Sequence, residues 1–232
     1  MGKIFNLDSP VMSALSKFAD LIYLNFLTLI CCLPIFTIGA SVTATHYVLL
    51  KMVRDEDGYI TRSFFKSFKQ NFKQATIIWL IMLLFIVIFV GDILIFSYSG
   101  LVFSPVLKAI LFAIAILVMI CTMYTFPVLA RFDNSVKNTF KNAMIMSVLA
   151  LPKTLTMIVC NILPIALLYF WGASAPIVAM LGISGPAFLC AMLYNGTFKK
   201  YEPAMEETSP DDWTVGGAEE EKAAEIEENV QE

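Results

Sequence analysis

An all-α bundle of membrane-spanning helices is the fold class this sequence predicts, and three observations predict it. Hydrophobic residues fill 58% of the 232 positions and charged residues only 15%, more apolar side-chain surface than the interior of a water-soluble domain of this size encloses. Apolar stretches of about 20 residues, enough to cross the hydrocarbon core at about 1.5 Å per residue, recur along the chain. Lysine and arginine are concentrated in a few of the intervening connections, the asymmetry that marks cytoplasmic loops. The expected arrangement is about six spans within residues 1–200, both ends in the cytoplasm, followed by an acidic tail over 201–232.

The spans are expected near 11–34, 38–53, 76–98, 107–130, 152–171 and 175–197. At the start, Leu21–Leu50 is free of charge but interrupted by Pro34 and Gly39 in the string CCLPIFTIGAS. Two spans, or one span and a re-entrant segment, both fit its length. Carrying the first leg back through Val11 and the second on to Val53, with Lys51 snorkelling, gives two crossings. The helix reversal between them is assigned to Pro34, Thr37, Gly39 and Ser41, the hydroxyls capping backbone groups freed at the turn. Thr76–Ser97 is broken only by Asp92, and Ala109–Ala130 has no charge. Thr154–Phe198 is uncharged throughout, too long for one crossing and suited to two, with a turn near Gly172–Pro176.

Charge placement fixes the count. Lys51, Arg54, Arg62, Lys66, Lys69 and Lys73 crowd the second connection, and Arg131, Lys137, Lys141 and Lys153 the fourth. Both should be cytoplasmic. Two spans lie between them, as parity requires, and the connections on the other side contain Lys108 and no other base. Lys199 and Lys200 keep the C-terminus inside. Lys3 and Lys17 favour an inside N-terminus, which demands two crossings before Lys51. Residues 201–232 contain twelve carboxylates against Lys222, so the tail carries −11 and the remainder +8 of the net −3. Such a tail is expected to be disordered and solvated, or to contact the basic loops.

Composition also excludes functions. The cysteines Cys31, Cys32, Cys121, Cys160 and Cys190 all lie in apolar stretches and His46 is the sole histidine, so neither a disulfide framework nor a zinc site is expected. No phosphate-binding, dinucleotide or hydrolase motif is present. No catalytic residue, cofactor or metal is assigned, and the expected surroundings are the lipid bilayer, with no nucleic acid.

Two basic segments repeat: KQNFKQA at Lys69–Ala75 and KNTFKNA at Lys137–Ala143, each just before an apolar run, with Thr45-His46-Tyr47 and Thr122-Met123-Tyr124 upstream. This is the pattern of a parallel duplication, and chance similarity between two Lys- and Phe-rich juxtamembrane segments is the alternative. In the first segment Phe64, Phe68 and Phe72 recur every fourth residue while Lys66, Lys69 and Lys73 fall elsewhere, so a helix there has one aromatic face and a cationic remainder. Phe64, Phe68, Phe72, Lys69, Lys73 and Phe140 are therefore candidates for an interfacial helix on anionic headgroups or for a docking helix that receives a transporter or another membrane complex. Inside the spans the candidate polar residues are Asp92, His46, Asn25 and Asn161: Asp92 either binds a proton or polar solute or is partly hydrated near the outer interface, and His46 and Asn161 either join it on such a path or, like Asn25, form interhelical hydrogen bonds. In LGISGPAF, Gly182 and Gly185 permit close helix approach and Pro186 a kink.

Asn25, CCLP at Cys31–Pro34, TIGAS at Thr37–Ser41, Thr43-Ala44, Tyr47, GYI at Gly58–Ile60 and the Phe-rich basic segment together resemble the N-terminal signature of the YesL family of bacterial integral membrane proteins. The resemblance covers about residues 1–80 and extends more weakly to ARFDNS and the second basic repeat. It implies a bacterial plasma-membrane location and an association with carbohydrate uptake, and it supplies no catalytic residues. The expected function is a non-catalytic membrane component that assists or regulates solute uptake. The alternatives are a small-solute or proton-coupled permease and a membrane signalling subunit.

Overall fold

The computed structural model describes residues 10–56, 58–98, 104–132 and 134–202, and every regular element among them is helical. Eight α-helices follow one another: α1 (Pro10–Cys31), α2 (Ile38–Val53), α3 (Ile60–Tyr98), α4 (Pro105–Arg131), α5 (Val136–Leu149), α6 (Leu151–Phe170), α7 (Ala175–Leu181) and α8 (Ser184–Tyr201). Five stretches of helix are long and apolar enough to cross a membrane, and the pair formed by Gly172–Leu181 and Ser184–Tyr201, bent by 58°, makes a sixth as one broken span. The chain is thus a polytopic helix bundle. The start of α1 and the ends of α2, α4 and α8 meet at one end of it, joined by Lys17–Asp55 at 2.6 Å, Arg54–Glu202 at 2.7 Å and Arg131–Glu202 at 2.6 Å. An even number of crossings between successive basic connections requires that arrangement.

The reversal between α1 and α2 is one turn of 3₁₀ helix over Ile35–Thr37. The Thr37 hydroxyl donates to the carbonyls of Cys31 and Pro34, both at 2.7 Å, and the Ser41 hydroxyl to Thr28 O at 3.0 Å. Thr37 thereby supplies a donor to the last carbonyl of α1, while Thr28 O and Pro34 O, which also accept the backbone N–H groups of Cys32 and Thr37, gain a second donor. Gly39 has a different role from the turn assigned to it. A Cβ there would collide with the Ala75 carbonyl oxygen and stand 2.7 Å from Trp79 Cβ, so its hydrogen lets α2 lie directly on α3. Trp79 Nε1 donates to Ile35 O at 2.8 Å and fastens the same contact.

Two expectations are corrected. The basic segment after α2 is not a separate interfacial helix: α3 runs unbroken for 39 residues, about 58 Å against a hydrocarbon core of about 30 Å, so it continues well past the membrane. No proline or glycine interrupts it before Gly91, and nothing else in the sequence forces a break. Its aromatic face is not wholly outward either. Phe64 is fully buried in the core and Phe68 and Phe72 are half-buried, so Phe64 has no surface to offer a headgroup or a partner. The last span, expected over 175–197 with a kink at Pro186, is divided at Gly182 and Ile183. Pro186 lacks the N–H that would bond across this point, and its ring disfavours a helical carbonyl four residues earlier.

The core centres on α2, whose residues from Gly39 to Leu50 are nearly all buried, against α1, α3, α4 and α8. Serine and threonine are prominent inside it: Thr28 and Thr45 share a 2.7 Å hydrogen bond between α1 and α2, the small-residue packing typical of helices that associate within lipid. By contrast the membrane half of α4 is exposed to its surroundings, and only Tyr124–Ala130 is buried. Beyond Glu202 the acidic tail lies outside the described residues.

Candidate functional site

The bundle has two polar regions, one in the membrane and one at the end where the basic connections gather. The first surrounds a cavity of about 440 Å³ between α2, α3 and α4, closed at its inner side by α6 and α8. Its walls are mostly Met, Ile, Val and Phe, with Trp79 at one edge, and no Asp, Glu, Lys or Arg lines it. His46 and Asn161 both line it, so the structure brings these two candidates together. His46 Nδ1 lies 3.2 Å from the Tyr194 hydroxyl, and the two rings meet edge to face. Asn161 Nδ2 donates to Met157 O at 2.9 Å and toward Cys190 Sγ at 3.2 Å.

The other two intramembrane candidates are elsewhere. Asp92 borders an adjoining cavity of about 460 Å³ between α3 and α4, which shares Phe89, Ile93 and Ala115 with the first and is also lined by Lys108, and makes no ion pair among the described residues. Asn25 is an internal clamp. Its Nδ2 donates to Ala179 O at 2.9 Å, and its Oδ1 accepts from the backbone N–H groups of Ile183 and Ser184 at 3.0 and 3.1 Å. One amide thus meets the carbonyl and N–H groups freed at the break between α7 and α8, as a cap would but from another helix.

At the other polar region Glu202, just beyond α8, is held by two arginines. Arg54 Nη2 and Nη1 reach its two carboxylate oxygens at 2.7 and 3.2 Å, and Arg131 Nε reaches Oε1 at 2.6 Å. Arg54 Nε also donates to Asn195 Oδ1 at 2.9 Å. All three ionic side chains are nearly enclosed, between 8% and 12% exposed. Burial alone would raise the Glu202 carboxyl, but the hydrogen bonds and charges of Arg131 and Arg54 outweigh it and hold the group below the usual carboxylate range. Glu56 goes the other way: burial raises its carboxyl despite the attraction of Arg54, Lys51 and Arg131, and its Oε2 is buried without a hydrogen bond.

Sequence reasoning missed this ion triad, yet the signal was present in the duplicated pattern. Arg54 follows Tyr47 by seven residues and Arg131 follows Tyr124 by seven, two helical turns that return each arginine to its tyrosine's face. Tyr47 and Tyr124 are both buried, while the preceding residues, His46 and Met123, both line the first cavity. Downstream, the two seven-residue basic segments repeat their burial position by position: Asn71 and Thr139 are buried, as are Ala75 and Ala143; Phe72 and Phe140 are half-buried, and Lys69, Lys73, Lys137 and Lys141 are exposed. Among the docking candidates the accessible groups are therefore the lysines, with Phe68, Phe72 and Phe140 partly covered.

This geometry defines a class, an all-α polytopic membrane protein with an ion-paired face at one end and an uncharged cavity in the membrane. A family model described as a protein of unknown function, DUF624, matches residues 21–93, from within α1 through most of α3. The match contains Arg54 and the first basic segment but not Arg131 or Glu202. No curated protein and no solved structure matches the chain.

Proposed function

We propose that the protein is a non-catalytic component of the bacterial plasma membrane that assists or regulates carbohydrate uptake by engaging a transport complex through its basic face. The observation that carries this reading is the division of polarity. Charged and lysine-rich elements are gathered on one face, cross-tied by Arg54, Glu202 and Arg131, whereas the large membrane cavity that His46 and Asn161 share has no charged wall. A sugar crossing the bundle would need its many hydroxyls matched by polar groups, and an almost wholly apolar cavity offers few. The resemblance to the YesL family, with its link to carbohydrate uptake, supplies the solute class. Extraction from native membranes in mild detergent should recover a transport complex with the chain, and exchanging Lys69, Lys73, Lys137 and Lys141 for Glu should release it. Recovery of the chain without such a complex, or retention of the complex by the charge-reversed variant, would reject the proposal.

A second reading, that the chain itself carries a small solute, is favoured by one observation: His46 and Asn161 face a common cavity. It predicts solute or proton movement into liposomes that contain the purified protein, reduced by Asn161→Leu. Equal movement in protein-free vesicles would reject it. Asp92, whose cavity adjoins this one through Phe89, Ile93 and Ala115, belongs to the same path in this reading, and Asp92→Asn should also reduce the movement.

A further inference from the structure

The membrane cavity has a chemistry of its own, independent of what the basic face engages. Its volume of about 440 Å³ falls within the range of about 300–1,000 Å³ in which proteins hold small organic ligands, typically in apolar walls with a few convergent polar groups. Two such groups are present. His46 spends Nδ1 on Tyr194, and its Nε2 has no hydrogen bond among the described residues. Asn161 commits Nδ2 to Met157 O, Cys190 Sγ and Met123 Sδ, an assignment fixed by the carbonyl acceptor, and its Oδ1 has no hydrogen bond among the described residues. Unmatched polar atoms beside hydrocarbon are costly, and a ligand that bonds to them gains what they otherwise lose.

We propose that this cavity binds a neutral, single-chain amphiphile whose head is a hydroxyl group, of the monoacylglycerol kind. Each part of that description follows from the walls. Met82, Ile86, Val118 and Phe126 match an alkyl chain. The lack of any Asp, Glu, Lys or Arg in the lining excludes an ionised head, which would be stripped of water with no counter-charge. Asn161 Oδ1 accepts only, so the head must donate to it. The neutral imidazole offers its second nitrogen as donor or acceptor according to which partner of the Tyr194 bond donates, and a hydroxyl serves either.

Trp79 lines the cavity and reports its occupancy. With Trp171→Phe and Trp213→Phe it becomes the single tryptophan of the full chain, which has three. In detergent micelles, monoacylglycerol brominated along its chain should quench Trp79 saturably, at concentrations at least about tenfold below those needed by equally brominated stearate or phosphatidylcholine. Asn161→Leu and His46→Phe should each weaken that binding about three- to tenfold, the loss expected for one hydrogen bond. Ala115→Phe, which adds a ring to the wall without touching either polar group, should abolish the saturable component while leaving the helical circular dichroism unchanged. Equal quenching by all three lipids would identify the cavity as ordinary lipid-facing surface and overturn the proposal. Unaltered monoacylglycerol affinity in both polar variants, or in the folded Ala115→Phe protein, would also overturn it.

Discussion

The two basic repeats carry one sequence pattern, and the helices around them occupy the membrane differently. In the first, α2 is sunk in the core and lies on α3 through Gly39 and Ala75, and its basic segment is the opening of an unbroken 39-residue helix. In the second, the membrane half of α4 stays at the periphery, and the basic segment forms a helix of 14 residues that ends at Leu149 before α6 begins. What they share lies chiefly toward the ion-paired end: the Tyr-to-Arg spacing, the buried pattern of the basic segment, and Glu202 bonded to both arginines. Common features therefore mark the face at which the halves are joined, and differences mark where each half meets a different neighbour. That division points to the ionic end as the joint between the two repeats.

The largest expected effect is at that joint. Glu202→Gln takes from two nearly enclosed guanidinium groups the carboxylate that bridges them, and loss of one member of such a buried arrangement costs about 3–5 kcal/mol. A clear fall in the thermal unfolding midpoint in micelles checks it. In the Glu202→Gln background, Arg54→Met and Arg131→Met should each cost less than in the native chain, because their shared partner is already gone. If both retain their full cost, the halves are joined by something other than this carboxylate. Acid gives an independent test. The folded Glu202 carboxyl is held below its usual range, so its contribution is present above the unfolded carboxylate's value, about 4.3, and is lost as pH falls through the lower folded value. Glu56, raised by burial, has the opposite sign, its contribution being lost as pH rises through its folded value. The gap between native and Glu202→Gln midpoints isolates the first group, and it should narrow below about pH 4.

These sites differ in how far the sequence discloses them. The class of fold was legible because hydrophobic length and lysine placement act locally: a span must be apolar over its own residues whatever it packs against. The repeated lysines and phenylalanines were legible for the same reason. The Arg54, Glu202 and Arg131 triad was not, because Glu202 looks in sequence like the first of twelve tail carboxylates, and only the approach of three helix ends gives it partners. The inward turn of Phe64 was hidden for a related reason. An aromatic stripe on a cationic helix has the same periodicity whether it meets lipid or the neighbouring helices. Asn25 was legible as a polar residue in an apolar span, but its function as a clamp on a broken helix depends on Pro186 and Gly182, more than 150 residues away.

A smaller effect separates the membrane portions of the two copies. Gly39→Ala adds a methyl group against the backbone of α3, where neither Ala75 O nor Trp79 Cβ can rotate aside, and overpacking of this kind costs about 1–3 kcal/mol. Counting from the paired tyrosines, the corresponding residue of α4 is Ile116, which is 40% exposed. Ile116→Ala should change stability by no more than about 0.5 kcal/mol, as surface positions do. Comparable losses at both positions would mean that α4 is as tightly enclosed as α2, and the contrast between the copies would fail.

The smallest effect concerns the break that only the second copy has. Pro152 stands in the first turn of α6, where a missing N–H leaves nothing unsatisfied, and it biases the chain against a continuous α5–α6 helix because it has no N–H to bond to Val148 O. The helices are also bridged across the gap, since the Thr154 hydroxyl donates to Ser147 O at 2.9 Å and Ala150 O at 3.0 Å. Pro152→Ala removes the bias but not the bridge. Stability should therefore move by less than about 0.5 kcal/mol, and spin labels placed on α5 and α6 should keep their native separation. Adding Thr154→Val removes the bridge as well, and the double variant should lengthen that separation as the second copy straightens toward the continuous helix of the first. An unchanged distance in the double variant would show that packing against α4 and α8, rather than these two residues, holds the bend.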